Sequence, residues 1–388
     1  MNELFTKLPE LNQNVVLTKE TLNKFYKVLK DGKDKLNSDK NNYTCTPITF
    51  FDKYPQFLQM PATYFIDPKM LHFLRSSNGF YQQFTLNLGP RHFTVHLFLP
   101  VDNCKFKNTN VLDFFEDCIK NIYLWLHFIS PHIKEKCSVK STIYLLFTNF
   151  HKHIPESNEP ITYKNVNSAF TTSSNPETII YIHRYEEWFK VLMHESFHSF
   201  GLDFSGYNNY EVENKIVQTF KVRNKNGIRV YEAYVELWAE VLNVVFVSYL
   251  KSKDKKTFLV IFEYLINKEL SFTVFQCVKI LNHINIPYED IIDAKCKTIK
   301  YEETANLTSY YFLKLILFLN LRKFESWCKR NNTTLFQFDK KNMLKFTDFI
   351  IDHSNTPPLR TCLHKMKKFY KRAKLSPIAK NTMRMTIV

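Results

Sequence analysis

Apolar positions recur along this chain with two different periods, and the change from one to the other separates a mixed first half from a helical second half. Residues 83–88 (Gln-Phe-Thr-Leu-Asn-Leu) and 92–99 (His-Phe-Thr-Val-His-Leu-Phe-Leu) alternate with period two. Gly89-Pro90-Arg91 lies between them, so a β-hairpin is predicted. Residues 110–130 carry Val111, Phe114, Phe115, Cys118, Ile119 and Ile122 at helical spacing, with Pro131 to end the helix. A strand follows at 139–148, then a polar loop at 150–160 and extended runs at 165–172 and 178–183. A helix is predicted over 185–200, with Gly201 at its C-terminal end. From about 231 onward the periodicity is almost wholly helical, and no internal repeat is present. Ahead of the hairpin, Leu4, Leu8, Leu11, Leu17, Leu22 and Leu29 predict surface helices over 1–40. The stretch 43–80, with prolines at 47, 55, 61 and 68, predicts irregular chain with short helices.

This pattern predicts an α+β fold in four segments. Residues 1–80 form a helical and irregular extension, 81–205 a mixed sheet-and-helix part, 206–358 a helical part, and 359–388 a C-terminal segment. A 388-residue chain that is 45% hydrophobic and 16% aromatic is long and apolar enough for a large core. Six glycines and no phosphate-loop or dinucleotide fingerprint argue against nucleotide chemistry of those kinds. The eight cysteines, at 45, 104, 118, 137, 277, 296, 328 and 362, include no Cys-x-x-Cys pair and suit a reducing compartment.

Met1 to Asn14 has no apolar run of the kind that opens a secretory leader. The longest apolar runs, 241–250 and 310–321, fall short of the roughly 20 residues that span a bilayer. A cytoplasmic protein without a transmembrane segment is the expectation. The lysine- and asparagine-rich composition suits a large DNA virus or a parasite, and so a virion as one location.

The candidate chemistry lies in the predicted helix 185–200. Residues 194–198 read His-Glu-Ser-Phe-His, an HExxH motif. His194 and His198 at i and i+4 put two imidazoles on one helical face, one turn apart, as two ligands of a tetrahedral zinc require. Glu195 projects beside them, where it serves as general base and then general acid. From Val191 to Phe200 these three are the only ionisable residues. Two histidines and a glutamate in an apolar helix are costly to bury unless something satisfies them, and Zn2+ does so.

A third ligand must come from elsewhere in the chain. Glu232, Glu236 and Glu240 recur at four-residue steps in the predicted helix 231–250, amid Leu237, Trp238 and Ala239. Three acids on one side repel one another unless something cationic faces them.

Residues 236–240, Glu-Leu-Trp-Ala-Glu, resemble the Glu-x-x-x-Asp/Glu segment of the gluzincin (thermolysin-like) metallopeptidases. The order hairpin, helix, three strands, HExxH helix is also similar to the zincin N-terminal subdomain. The resemblance covers roughly 80–250. It implies a zincin-like mixed sheet followed by a helical subdomain. It implies that Glu236 is the third zinc ligand, with Glu232 as the alternative, and that Glu240 accepts from the outer nitrogen of His194. Asn167-Ser168-Ala169-Phe170 is similar to the family's substrate-binding edge segment, which implies a peptide or protein substrate held by β-augmentation. The implied activity is that of a zinc metalloendopeptidase. The rival metzincin pattern places Gly201 correctly but puts Phe204 at the third-ligand position, with Asp203 one residue short. Tyr207, Tyr210, Tyr231 and Tyr234 all remain candidates for stabilising an oxyanion.

The net charge of +16 favours acidic partners. It is concentrated in residues 359–374, which hold seven cationic side chains and no acid. With Leu363, Met366 and Phe369 as an apolar stripe, this segment predicts an amphipathic helix suited to nucleic acid or to an anionic surface. A function of a different class follows from it: a non-catalytic zincin-fold protein, structural or nucleic-acid-associated, in a virion.

Overall fold

The computed structural model describes residues 1–13, 15–38, 43–58, 66–101, 110–156, 159–172, 175–292 and 298–388. Pro61, Cys104, Cys296 and part of the predicted loop 150–160 lie outside these residues. The architecture is mixed α+β. Lys24–His151 with Asn167–Leu202 form one compact unit, and Met1–Asn23, Lys152–Val166 and Asp203–Val388 form the other. Residues 1–80 fall in both units, and the chain passes from one unit to the other at 202/203.

The first unit holds a mixed sheet of β1 (Tyr43–Cys45), β2 (Thr49–Phe51), β3 (Gly79–Leu88), β4 (Arg91–Pro100), β5 (Lys140–Leu146), β6 (Ala169–Thr171) and β7 (Glu177–Ile182). Its order is β1-β3-β4-β5-β7-β6, with β2 also on β3. The β3–β4 hairpin is the predicted one, extended at both far ends. Leu88 faces Arg91 across a two-residue turn, and Gly89 at φ +58 supplies the left-handed residue that such a turn needs before Pro90. β1 and β2 correct the expectation of irregular chain after residue 43: strands of three residues are too short to show a period.

Phe93, Val95, Leu97, Ile143, Leu145, Ile180 and Ile182 are fully buried on successive strands. Each such side chain stabilises by about 1.5–3 kcal/mol relative to exposure. The helix Val111–Ile129 packs on β3, capped by the Asn110 side chain, which accepts from the Leu112 N–H. The other face carries an aromatic row in register across four strands. His96 stacks on Tyr144 (4.6 Å), Tyr144 on Tyr181 (4.3 Å) and Tyr181 on Phe170 (5.0 Å). Burial holds the His96 pKa down to about 4, so this ring is neutral.

In the second unit the predicted helical run resolves into Val230–Lys251, Lys255–His283, a π-helical turn Thr308–Leu313 leading into Lys314–Leu319, Leu321–Asn331, Met343–His353 and Pro357–Arg372. A parallel pair, β8 (Val222–Asn224) and β9 (Tyr301–Glu303), interrupts it. Leu4, Leu8, Leu11 and Leu17 are buried, so the leucines predicted for surface helices are core contacts. Val230–Lys251 is long and apolar enough by composition to cross a bilayer, contrary to the expectation that no segment qualified. Nearly all of it is buried, including Trp238 and Glu240, as a core helix is.

Candidate metal centre

The motif lies on the helix Trp188–Ser199, entered through Glu187 at φ +60. The helix ends as its glycine predicts. Gly201, at φ +66, donates to the His198 carbonyl (3.2 Å), and Leu202 donates to that of Phe197 (2.9 Å). Those two bonds are a Schellman closure, which only a residue comfortable at positive φ completes without strain. Every residue from Lys190 to Ser199 is buried. The helix packs on β6 and β7. Ser196 Oγ accepts from Trp125 Nε1 (3.1 Å) and donates to the Leu192 carbonyl (2.6 Å), which fixes the helix's rotation.

That rotation turns both histidines the same way. His194 Nε2 and His198 Nε2 lie 3.2 Å apart, and the two rings are close to perpendicular. Two nitrogens on one tetrahedral zinc would be separated by about 3.3 Å, given bonds of 2.0–2.1 Å. Glu195 is buried on the same helix, one residue beyond His194.

His194 and His198, both buried, bring two imidazole nitrogens of one helix to a spacing that suits a single zinc. The three acids expected to offer a third ligand, Glu232, Glu236 and Glu240, are all buried on the helix Val230–Lys251.

Glu236 and Glu240 face a different cation. Lys314 Nζ lies 2.5 Å from Glu240 Oε2 and 3.9 Å from Glu236 Oε1, with all three side chains almost fully buried. Burial by itself would lower the Lys314 pKa, but Glu240 and then Glu236 outweigh it and hold the ammonium above its ordinary value. Glu240 Oε1 also accepts from Thr273 Oγ1 (2.6 Å). The two oxygens of Glu240 thus engage Thr273 and Lys314. In the sequence Lys314 shows only as a lone lysine in the apolar run 310–321.

Asn167 and Ser168 precede β6 and do not belong to it. Their carbonyls accept from Arg184 Nε and the His183 N–H, both at 3.0 Å. Residues 165 and 166, expected to be extended, lie in the short helix Tyr163–Val166. β6 itself is the terminal strand in the sheet order, antiparallel to β7. His183 N–H bonds to the Ser168 carbonyl and Thr172 N–H to that of Ile179, so Ser168, Phe170 and Thr172 bond inward. Antiparallel alternation then directs the backbone groups of Ala169 and Thr171 to the outer edge, where no described strand lies.

Phe204, at the metzincin ligand position, packs against Phe338 with ring centroids 4.4 Å apart. Among the tyrosines, Tyr234 is committed to packing, with its hydroxyl donating to the Phe336 carbonyl (2.9 Å) and accepting from Asn332 Nδ2 (2.8 Å). Tyr210 is exposed, Tyr207 lies under the Lys340 ammonium, and Tyr231 adjoins Glu232 in sequence.

No protein-family model, curated protein or solved structure matches the chain.

Proposed function

We propose that this protein is a zinc-dependent metalloendopeptidase. The observation that carries the proposal is the buried pair His194 and His198, with Nε2 atoms 3.2 Å apart and Glu195 on the same helix. The two histidines would hold the ion with an acid from Val230–Lys251, and Glu232 is the one proposed because Lys314 engages Glu236 and Glu240. Zinc bound there would supply Lewis acidity toward a water and a substrate carbonyl. Glu195 would act as general base toward the attacking water and as general acid toward the departing amine. Burial strengthens each of these interactions by excluding bulk water. An extended peptide would pair with Ala169 and Thr171, bringing its scissile bond across the motif helix that packs against β6.

The purified chain, its Glu195→Gln variant and its His194→Ala variant, assayed together for zinc content and peptide cleavage, test this. Wild type and Glu195→Gln are expected to hold equal zinc. Cleavage by Glu195→Gln should fall by roughly 10²–10⁴-fold, and His194→Ala should lose the metal. Equal zinc with no cleavage by wild type on a broad peptide library would leave a metal-stabilised, non-catalytic protein instead. No zinc in wild type would remove both.

A further inference from the structure

The helix Pro357–Arg372 settles how the basic segment presents itself. Leu359, Cys362, Leu363 and Met366 are buried, and the helix packs on Lys255–His283. Its apolar side is therefore already covered, and it has no stripe left to insert into a bilayer. Arg360, His364, Lys365, Lys367, Lys368, Lys371 and Arg372 are all exposed.

Part of this face closes one side of a cleft of about 340 Å³. His364, Lys367 and Lys371, at i, i+3 and i+7, form one wall along a single helical face. Leu281, Ile286 and Pro287 supply an apolar floor, Tyr370 sits among them, and Glu289 is the one acid. None of His364, Lys367 and Lys371 has a hydrogen-bond or ion-pair partner among the described residues. The volume is at the small end for ligand sites and fits a unit the size of one nucleotide. Cations one turn apart, an aromatic ring and an apolar floor are the parts from which single-strand sites are built: charge tracks the phosphates while a base stacks. A duplex would offer this cleft only phosphates, because its bases are already stacked inside.

We infer that the cleft binds single-stranded nucleic acid, with phosphates on Lys367 and Lys371 and a base against Tyr370. The site shares no residue with the candidate metal centre and does not depend on any peptidase activity. The test uses the full chain and a fluorescent 12-nucleotide single strand, with anisotropy read from 50 to 200 mM salt. Lys367→Gln/Lys371→Gln is compared with Lys368→Gln/Arg372→Gln, which removes equal charge from the same helix outside the cleft lining.

The cleft variant should weaken binding by at least tenfold and flatten the salt slope by about 1.4, which is two phosphates at 0.7 each. The control should change affinity by less than threefold, and a duplex of equal length should bind more weakly than the single strand. Equal losses in the two variants, binding to the duplex as tight as to the single strand, or no binding at 50 mM salt would each overturn the assignment. So would tighter binding to phosphatidylserine vesicles than to the oligonucleotide. Melting temperatures within a degree of wild type confirm that both variants are folded.

Discussion

Lys314 Nζ and Glu240 Oε2 form an ion pair 2.5 Å apart with both side chains essentially inaccessible to water. The lysine opens the helix Lys314–Leu319, directly after the π-helical turn, and the glutamate lies mid-way along Val230–Lys251. Glu269 lies on Lys255–His283, where it accepts from the Ile387 N–H (3.0 Å) and Thr386 Oγ1 (3.0 Å). Burial, and then Glu240, push its carboxyl well above the usual range. Lys314 thus supplies a cation to Glu236 and Glu240, two of the three acids at four-residue steps.

Replacing Lys314 by Met should cost about 3–5 kcal/mol, because it strands buried carboxylates without a counter-charge. Adding Glu240→Leu to that variant should recover much of the loss, since an apolar pair of similar volume is often no worse than a buried ion pair. Urea midpoints of the two single variants and the double measure this. A double variant no more stable than Lys314→Met would show that the pair does not act as a unit.

Glu232 and Glu236 should separate cleanly by what each loses. Glu232→Gln is expected to weaken zinc binding by more than the roughly 10–100-fold typical of losing an outer partner. Glu236→Gln should bind zinc within that range or better, while its stability shifts through Lys314. Competition with a chelator of known affinity gives the numbers. The reverse order would make Glu236 the ligand.

Ala169→Pro removes an N–H that points away from β7 and so leaves the ladder intact, as an edge strand tolerates. If a peptide pairs there, KM should rise roughly three- to tenfold with kcat little changed, the worth of about one hydrogen bond. Phe170→Pro removes an inward donor instead and should lower the melting temperature. An unchanged KM in a folded Ala169→Pro variant would exclude β6 from substrate binding.

Glu303 sets a pH dependence of known sign. Its Oε2 accepts from the Thr308 N–H (2.8 Å) and Oγ1 (2.9 Å), but burial outweighs those bonds and raises its pKa from 4.5 to about 7. The native state then keeps a proton that the unfolded chain releases, so stability is fully present below pH 4.5 and lost as pH rises through 7. At about 1.4 kcal/mol per unit, the loss is on the order of 3 kcal/mol. Glu303→Gln should abolish this part of the decline. Unfolding midpoints of both proteins at pH 4.5, 5.5, 6.5 and 7.5 report the difference, and parallel curves would refute it.

Local order was legible wherever it depends on neighbours a few residues away. The hairpin at Gly89, the helix after Asn110 and the motif helix closed by Gly201 each follow from periodicity plus one conformationally special residue. The pairing of His194 with His198 follows likewise, because a helix turns once in 3.6 residues. The partners of the acid ladder were not legible. Glu232, Glu236 and Glu240 drift by only about 40° per four-residue step, so sequence spacing places them all on one side. Which acids meet a lysine depends on Lys314, 74 residues beyond Glu240, and on a π-helical turn with no signature in composition. β1, β2 and the β8–β9 pair were hidden for a related reason: three-residue strands exist only through distant partners. The sequence by itself determined that two imidazoles and a carboxylate share one helix. The tertiary structure alone decided that Lys314 meets Glu236 and Glu240, because a buried charge goes to whichever counter-charge the packing brings within reach.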